Sequence, residues 1–289
     1  MLAKGINVFC VVGAGVMGQQ IALQAARCGY TTYCTDINSI TLNRAQDFAH
    51  NWLFDQVNKG RLTEKQADQI RERLIFTPDL NEAASKADIV IEAIVEILEV
   101  KRRLFSQLDK VCPPHTILAT NSSYIVSSKI ADATTRPDKV LNMHFFYPAL
   151  VMKLVEVVRG PHISEETIEI AVEICQTLNK APVRVNKEIY GFIANRIFSA
   201  ITQEACYLLD QQVASVEDID RAVRNGLGHP MGPFELLDMT GIDLEYDVLM
   251  GKYRTSGDIK DKPSPSIVEL YARGDYGRKT KKGFYDYSK

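Results

Sequence analysis

Of the five histidines, His144 alone closes a short apolar run, Val140 to His144, that reads as a buried strand; His50, His115, His162 and His229 fall in helical, loop or turn contexts. In open α/β sheets ligands collect beyond the carboxyl ends of the strands, so an imidazole there can face a substrate. Further along, Glu156 lies in the run Lys153-Leu154-Val155-Glu156, which can return beside the first strand and bring a carboxylate to the ring. A carboxylate on one ring nitrogen fixes the tautomer and raises the basicity of the other, as a base that removes a hydroxyl proton during hydride transfer requires. A histidine at a strand end is about as often structural, so these residues alone leave both readings open.

A second constellation lies at the start of the chain. Gly13-Ala14-Gly15-Val16-Met17-Gly18 fits G-x-G-x-x-G directly after an apolar strand and before the helical run Gln19 to Arg27. The first glycine permits the tight turn, the second admits a pyrophosphate to the backbone, and the third lets helix and strand pack closely, while the helix N-terminus attracts phosphate. Asp36 ends the next strand, where a carboxylate can bind the ribose hydroxyls of the adenosine half and repel a 2′-phosphate. NAD is therefore expected over NADP. The competing reading is a glycine turn with an unrelated surface aspartate.

The elements that must position these groups follow from periodicity. Strands are expected at Asn7 to Val12, Thr31 to Thr35, Ile89 to Ala93, Thr116 to Ala119, Val140 to His144, Leu154 to Val158 and Val183 to Val185. Helical segments separate several of them, the pattern of a parallel sheet covered on both faces. Ile40 to Lys59 and Glu64 to Arg73 read as a helical hairpin inserted in the nucleotide-binding unit, with Thr63 and Gln66 forming a capping box. A helix is expected from about Glu165 to Leu178, and beyond Asn186 the strand signal stops. From Phe192 onward the chain is helical; Ser215 and Asp218 open one helix, Gly226 and Gly228 close it, and prolines at 230 and 233 break the chain. The expected fold is α/β: a Rossmann-type doubly wound sheet with an inserted helical hairpin over residues 1–187, then a smaller all-α C-terminal domain over 188–289. The basic, aromatic tail from Gly277 to Lys289 reads as a disordered end.

Composition narrows the function classes. With 34 Lys+Arg against 36 Asp+Glu, a net charge of −2 and a pI near 6.2, the 289-residue chain carries no footprint for nucleic acid. No apolar run approaches the ~20 residues that span a bilayer, and the start Ile6 to Val12 runs straight into Gly13 where a signal peptide would be cleaved. Cys10, Cys28, Cys34, Cys112, Cys175 and Cys206 form no CxxC pairing, which fits a reducing cytoplasm. No metal is expected.

The segments GAGVMG, IEAIVE, TNSS, MHFFYP, KLVEVV, GFIANR, GHPMGP and KKGFYDY occur in order along nearly the whole chain. Together they closely resemble the 3-hydroxyacyl-CoA dehydrogenase family, in particular its bacterial 3-hydroxybutyryl-CoA members. The resemblance implies NAD as cofactor, an acyl-CoA substrate of short chain, a role in fatty acid or butyrate metabolism, and a homodimer. It implies that His144 is the general acid/base, that Glu156 orients it, and that Ser123 and Asn195 hold the substrate's oxygens. It further implies that Glu96, Lys101, Asn121, Ser123, Tyr147 and Lys279 lie along the cofactor, and that Lys59 and Ser123 meet the CoA substrate; Arg61 can assist on charge alone. Read without it, Glu96 and Lys101 are a helix-start acid and a solvated lysine, Ser123 a helix cap, and Asn195 a partner of backbone groups in a helix begun by Gly191-Phe192.

The chain departs from the family's pattern at several places. Tyr147 replaces the asparagine of HFFNP, Tyr124 the second serine after threonine, Trp52 a serine associated with CoA, and Tyr190 a proline before Gly191, while Lys281 stands where glycine is common. Two other functions remain open at this point: a dehydrogenase of the same fold acting on a non-CoA hydroxy compound of the carnitine or gulonate type, and a non-catalytic, crystallin-like protein that keeps the cofactor.

Overall fold

The central strands of the sheet are apolar runs rich in Val, Ile and Leu, which have the composition of strands covered on both faces. The computed structural model describes residues 2–288, and the chain falls into two units, Met1–Ile193 and Ala194–Lys289.

The first unit is an eight-stranded sheet of order β3-β2-β1-β4-β5-β6-β7-β8. Its strands are β1 (Val8–Val12), β2 (Thr31–Thr35), β3 (Leu74–Thr77), β4 (Ile89–Glu92), β5 (Ile117–Thr120), β6 (Val140–Phe145), β7 (Leu154–Val158) and β8 (Ala181–Val185). Strands β1 to β6 run parallel; β7 turns antiparallel to β6, and β8 is parallel to β7. The order reverses between β1 and β4, and that switch point is where an open sheet of this kind opens a crevice.

Helix α1 (Val16–Arg27) follows β1 with no acid in its first turn, leaving its N-terminal amides open to an anion. Helices α2 (Ser39–Asn58) and α3 (Glu64–Arg73) are the expected hairpin, and the Thr63–Gln66 capping box opens the second. The hairpin is, however, the crossover from β2 to β3 and not an addition to it. Leu42, Ala45, Ala49 and Leu53 recur along one face of α2 and bury it, together with Ala67 and Ile70 of α3, in the same core as α1. Strand β3 and the short helix α4 (Leu80–Ala84) were not expected: Leu74–Thr77 runs on directly from the preceding helix with no turn residue to mark it, and five residues are too few to show a helical period. Helix α5 (Leu98–Val111) joins α4 in the core of the opposite face through Phe105 and Leu108. Helix α6 (Glu165–Thr177) caps on Ser164 and returns to the face of α1 through Ile168, Ala171 and Ile174.

The second unit contains α7 (Ala194–Asp210), α8 (Val216–Leu227), α9 (Pro233–Thr240), α10 (Ile242–Ser256) and α11 (Pro265–Arg273) around Phe234, Leu237, Ile242 and Ile267. Helix α7 starts at Ala194; Gly191 and Phe192, at φ of +75° and +47°, form the turn before it instead of its first turn. Ser215 caps α8 and Gly228 ends it in the left-handed conformation, whereas Gly226 lies inside the helix. Pro233 is the first residue of α9, a place where its missing N–H costs nothing.

The tail is ordered, contrary to the sequence expectation. Asp238 Oδ1 accepts from Phe284 N, and its Oδ2 from Tyr285 N and Tyr287 Oη, at 2.9, 2.9 and 3.1 Å. Asp220 accepts from Phe234 N, Glu235 N and Tyr285 Oη at 2.9, 3.1 and 2.8 Å. Asp220 thus ties the first turn of α9, directly after GHPMGP, to Tyr285 of KKGFYDY, and Asp238 holds the KKGFYDY segment itself. Gly283 is required there, since a Cβ would lie 2.0 Å from Asp238 Oδ1. Lys289 lies outside the described residues.

Candidate active site

The glycine loop has the shape a dinucleotide needs. Gly13 sits at φ +100° and a Cβ there would lie 2.6 Å from the Ala93 carbonyl; a Cβ on Gly18 would lie 1.7 Å from the Gly13 carbonyl. Gly15 has nothing within 4 Å of its Cβ position, which leaves open space at the N-terminus of α1 where a pyrophosphate can approach. Asp36 Oδ2 accepts from Ala14 N at 2.8 Å and Oδ1 from Asn38 N at 2.8 Å, which fixes the carboxylate at the end of β2 beside the loop. The residues present therefore fit NAD.

Sheet register builds the dyad. His144 and Glu156 are direct antiparallel partners on β6 and β7, so their side chains stand on the same face. His144 Nδ1 lies 2.8 Å from Glu156 Oε2, and the two residues are 3% and 0% exposed. The other carboxylate oxygen, Oε1, accepts from Ile193 N at 2.9 Å. An ionised carboxylate only accepts, so Nδ1 carries the proton and Nε2 presents its lone pair. Ser123 Oγ lies 2.9 Å from that Nε2 and donates to it. The imidazole is flanked by the rings of Phe146 and Phe192, with centroids 4.4 and 5.4 Å away.

The loop after β5 that carries Ser123 is anchored from three sides. Asn121 Oδ1 accepts from Phe145 N at 2.8 Å, tying the ends of β5 and β6. Asn142, fully buried in β6, receives Ser127 N at 2.7 Å and donates Nδ2 to Ser122 O and Ile125 O. Ser122, not Ser123, takes the capping role in the turn, accepting from Ile125 N at 2.8 Å and donating to Glu96. Glu96 also receives Tyr124 N and Ile125 N.

Lys101 is not a solvated lysine of a charged helical face. It is 1% exposed, with Nζ 2.6 Å from Glu92 Oε1 and 3.2 Å from Glu96 Oε2. Glu92, at the end of β4, also accepts from Ile94 N at 2.7 Å and Thr120 Oγ1 at 2.7 Å. A cavity of about 230 Å³ is lined by Met17, Ala93, Ile94, Glu96, Lys101 and Asn121 together with Ser122 to Tyr124. The structure thus brings together the glycine loop, Glu96, Lys101, Asn121 and Ser123, with Ser123 in contact with the dyad.

Other expected residues stand elsewhere. Tyr147 is 65% exposed on the loop between β6 and β7. That loop is clamped by the buried Lys180, whose ammonium donates to Met152 O at 2.8 Å and to Ala149 O. Lys59 ends α2, exposed, 3.8 Å from Asp55, and Arg61 follows at the surface. Trp52 lies under the Arg27 guanidinium at 4.6 Å. In the second unit, Asn195 is the second residue of α7, and Lys279 Nζ pairs with Asp243 Oδ2 at 2.5 Å.

Sequence reasoning missed Glu92, Asn142 and Lys180. The first two had a signal: a polar side chain inside an otherwise apolar strand run must be satisfied internally, and so holds something in place. Lys180 had none, since a lysine between a helix and a strand is ordinarily solvated.

The NAD binding domain of 3-hydroxyacyl-CoA dehydrogenase matches residues 8–189, and the C-terminal domain of the same family matches 191–287. The chain is 38% identical to a probable 3-hydroxybutyryl-CoA dehydrogenase of Bacillus subtilis, across 98% of each. It is 40% identical to the human mitochondrial hydroxyacyl-coenzyme A dehydrogenase, across 96% of this chain and 90% of that protein. The crystal structure of 3-hydroxybutyryl-CoA dehydrogenase from Escherichia coli K12 superposes with a TM-score of 0.93 at 40% identity, covering 99% of this chain and 60% of that one.

Proposed function

This chain belongs to the 3-hydroxyacyl-CoA dehydrogenase family, and from that premise we propose the reaction it catalyses: reversible hydride transfer between NAD and a short-chain 3-hydroxyacyl-CoA/3-ketoacyl-CoA pair, 3-hydroxybutyryl-CoA and acetoacetyl-CoA, in fatty acid or butyrate metabolism. The observation that carries the mechanism is the continuous hydrogen-bonded line from Ser123 Oγ through the His144 ring to Glu156.

Bound NAD supplies the acceptor for the hydride on C3. In oxidation, His144 Nε2 takes the C3 hydroxyl proton, and Glu156 stabilises the imidazolium that results. The substrate hydroxyl displaces or shares the hydrogen bond that Ser123 makes to Nε2, leaving the serine to hold an oxygen of the substrate. In reduction the imidazolium returns the proton to the developing alkoxide, and hydrogen bonds from Ser123 and, by the family resemblance, from the Asn195 carboxamide stabilise that charge. The glycine loop and Asp36 hold the adenosine half and the pyrophosphate, while Glu96, Lys101 and Asn121 hold the far half of the cofactor. Tyr147 and Lys279 are assigned to the cofactor, and Lys59, with Arg61, to the CoA phosphates, on the same resemblance. A homodimer in the cytoplasm completes the proposal; among the described residues no helix is long and apolar enough to cross a membrane.

The test is substrate discrimination. Purified protein should oxidise NADH with acetoacetyl-CoA, and turn over free acetoacetate and dehydrocarnitine at least about 100-fold less efficiently. A reversed order transfers the reaction to a non-CoA hydroxy compound, and NADH binding without turnover of any 3-keto compound makes the protein a non-catalytic binder.

A further inference from the structure

Tyr124 and Tyr190 are far apart in sequence, and each stands where the family's usual residue is small or cyclic. In the structure their rings meet, with centroids 4.6 Å apart and planes inclined by 30°. Tyr124 directly follows Ser123 and lines the same cavity. Tyr190 opens the turn Gly191-Phe192-Ile193, whose Phe192 ring covers His144 and whose Ile193 N–H holds Glu156. The pair therefore joins the serine's loop to the segment that braces the dyad.

We propose that the Tyr124–Tyr190 pair is a specificity-determining wall that limits the acyl group to short chains, about four to six carbons. The inference rests on the reaction proposed above. C3 of the substrate must lie against His144 Nε2 and Ser123 Oγ, so C4 lies about 1.5 Å beyond it, and Tyr124 Cα lies about 3.8 Å from Ser123 Cα. On that placement the first carbons of the acyl tail come within reach of the residue next to Ser123, which shares its cavity. A lone tyrosine there can swing aside to admit a longer tail, but a ring packed at a tilt against a second ring gives up that contact in doing so. Tyr190 is in turn held by a turn with two successive left-handed residues, Gly191 and Phe192, the latter buried, so the outer ring has little freedom to follow. Serine and proline at these positions leave no such pair.

The experiment is a chain-length profile. The ratio of kcat/KM for 3-ketodecanoyl-CoA to that for acetoacetyl-CoA is measured with NADH for the wild type, Tyr124→Ser, Tyr124→Phe and Tyr190→Ala, with NADH Kd measured alongside by fluorescence. The wild-type ratio should be below about 0.1 and should rise at least about tenfold in Tyr124→Ser and in Tyr190→Ala. Tyr124→Phe keeps the ring and should keep the wild-type ratio. An unchanged ratio in the two ring-deleted variants overturns the proposal, as does a ratio that rises equally in Tyr124→Phe, which would assign the effect to the hydroxyl. A shift confined to NADH Kd puts the ring on the cofactor's side and overturns it as well. If the wild type already accepts all chain lengths equally, the wall is absent while the reaction stands; if it reduces no 3-ketoacyl-CoA, the reaction itself has failed.

Discussion

Each unit buries carboxylates completely, and they do opposite work. Glu156 in the first unit spends one oxygen on a backbone amide and the other on an imidazole, a partner that can itself gain and lose a proton. Asp220 and Asp238 in the second unit accept only from backbone amides and tyrosine hydroxyls, none of which titrates near neutrality; burial pushes the Tyr287 hydroxyl up to about 12. A buried carboxylate is always costly unless satisfied. What separates a catalytic one from a staple is whether one of its partners passes charge on toward open space. His144 does so through Nε2; the tail of the second unit passes nothing on.

Substitution can break this contrast. Glu156→Gln keeps a hydrogen-bonding side chain but removes the charge that stabilises the imidazolium, so kcat should fall by about 100-fold or more while the melting temperature moves by only a few degrees. An unchanged kcat with a large fall in melting temperature would make Glu156 a staple of the second kind. Asp238→Ala leaves two amides and a hydroxyl without their acceptor and should cost about 3 kcal/mol, read as a shift of the urea midpoint. The pH dependence carries a sign. Burial raises the folded-state pKa of Asp238 above its ordinary value, so the folded chain holds this proton after the unfolded chain has released it. Its contribution to stability is therefore greatest in acid and declines as pH rises from the ordinary carboxylate range through the raised value, a slope that Asp238→Asn should remove. The smallest effect belongs to Lys281, a non-glycine residue at φ +61° in the same tail. Lys281→Gly should relieve left-handed strain and raise stability by about 0.5 kcal/mol after the added freedom of the unfolded glycine is subtracted.

The same contrast explains what the sequence could be made to yield. The Rossmann-type half was readable because its elements repeat a strand–helix period and its glycine loop has a fixed spacing relative to β1 and Asp36. The His144–Glu156 contact was readable as a possibility, and the antiparallel turn of β7 realised it in direct register. Strand β3 escaped notice because Leu74 to Thr77 is short and follows a helix without a turn residue. Lys101 looked solvated because its neighbours on α5 are charged; its burial depends on Glu92, a residue nine positions earlier on another element. The tail read as disordered because its order comes from Asp220 and Asp238, and no local pattern announces a long-range acceptor. For Lys101 and the tail, the partner that decided the outcome lay on a different element.

The most direct test of proton transfer at His144 is His144→Gln, assayed with NADH and acetoacetyl-CoA and paired with NADH binding by fluorescence. In this variant kcat should fall by about 100-fold or more with NADH affinity retained, because the glutamine fills the space between Ser123 and Glu156 but cannot carry the proton. Turnover at the wild-type rate would contradict it.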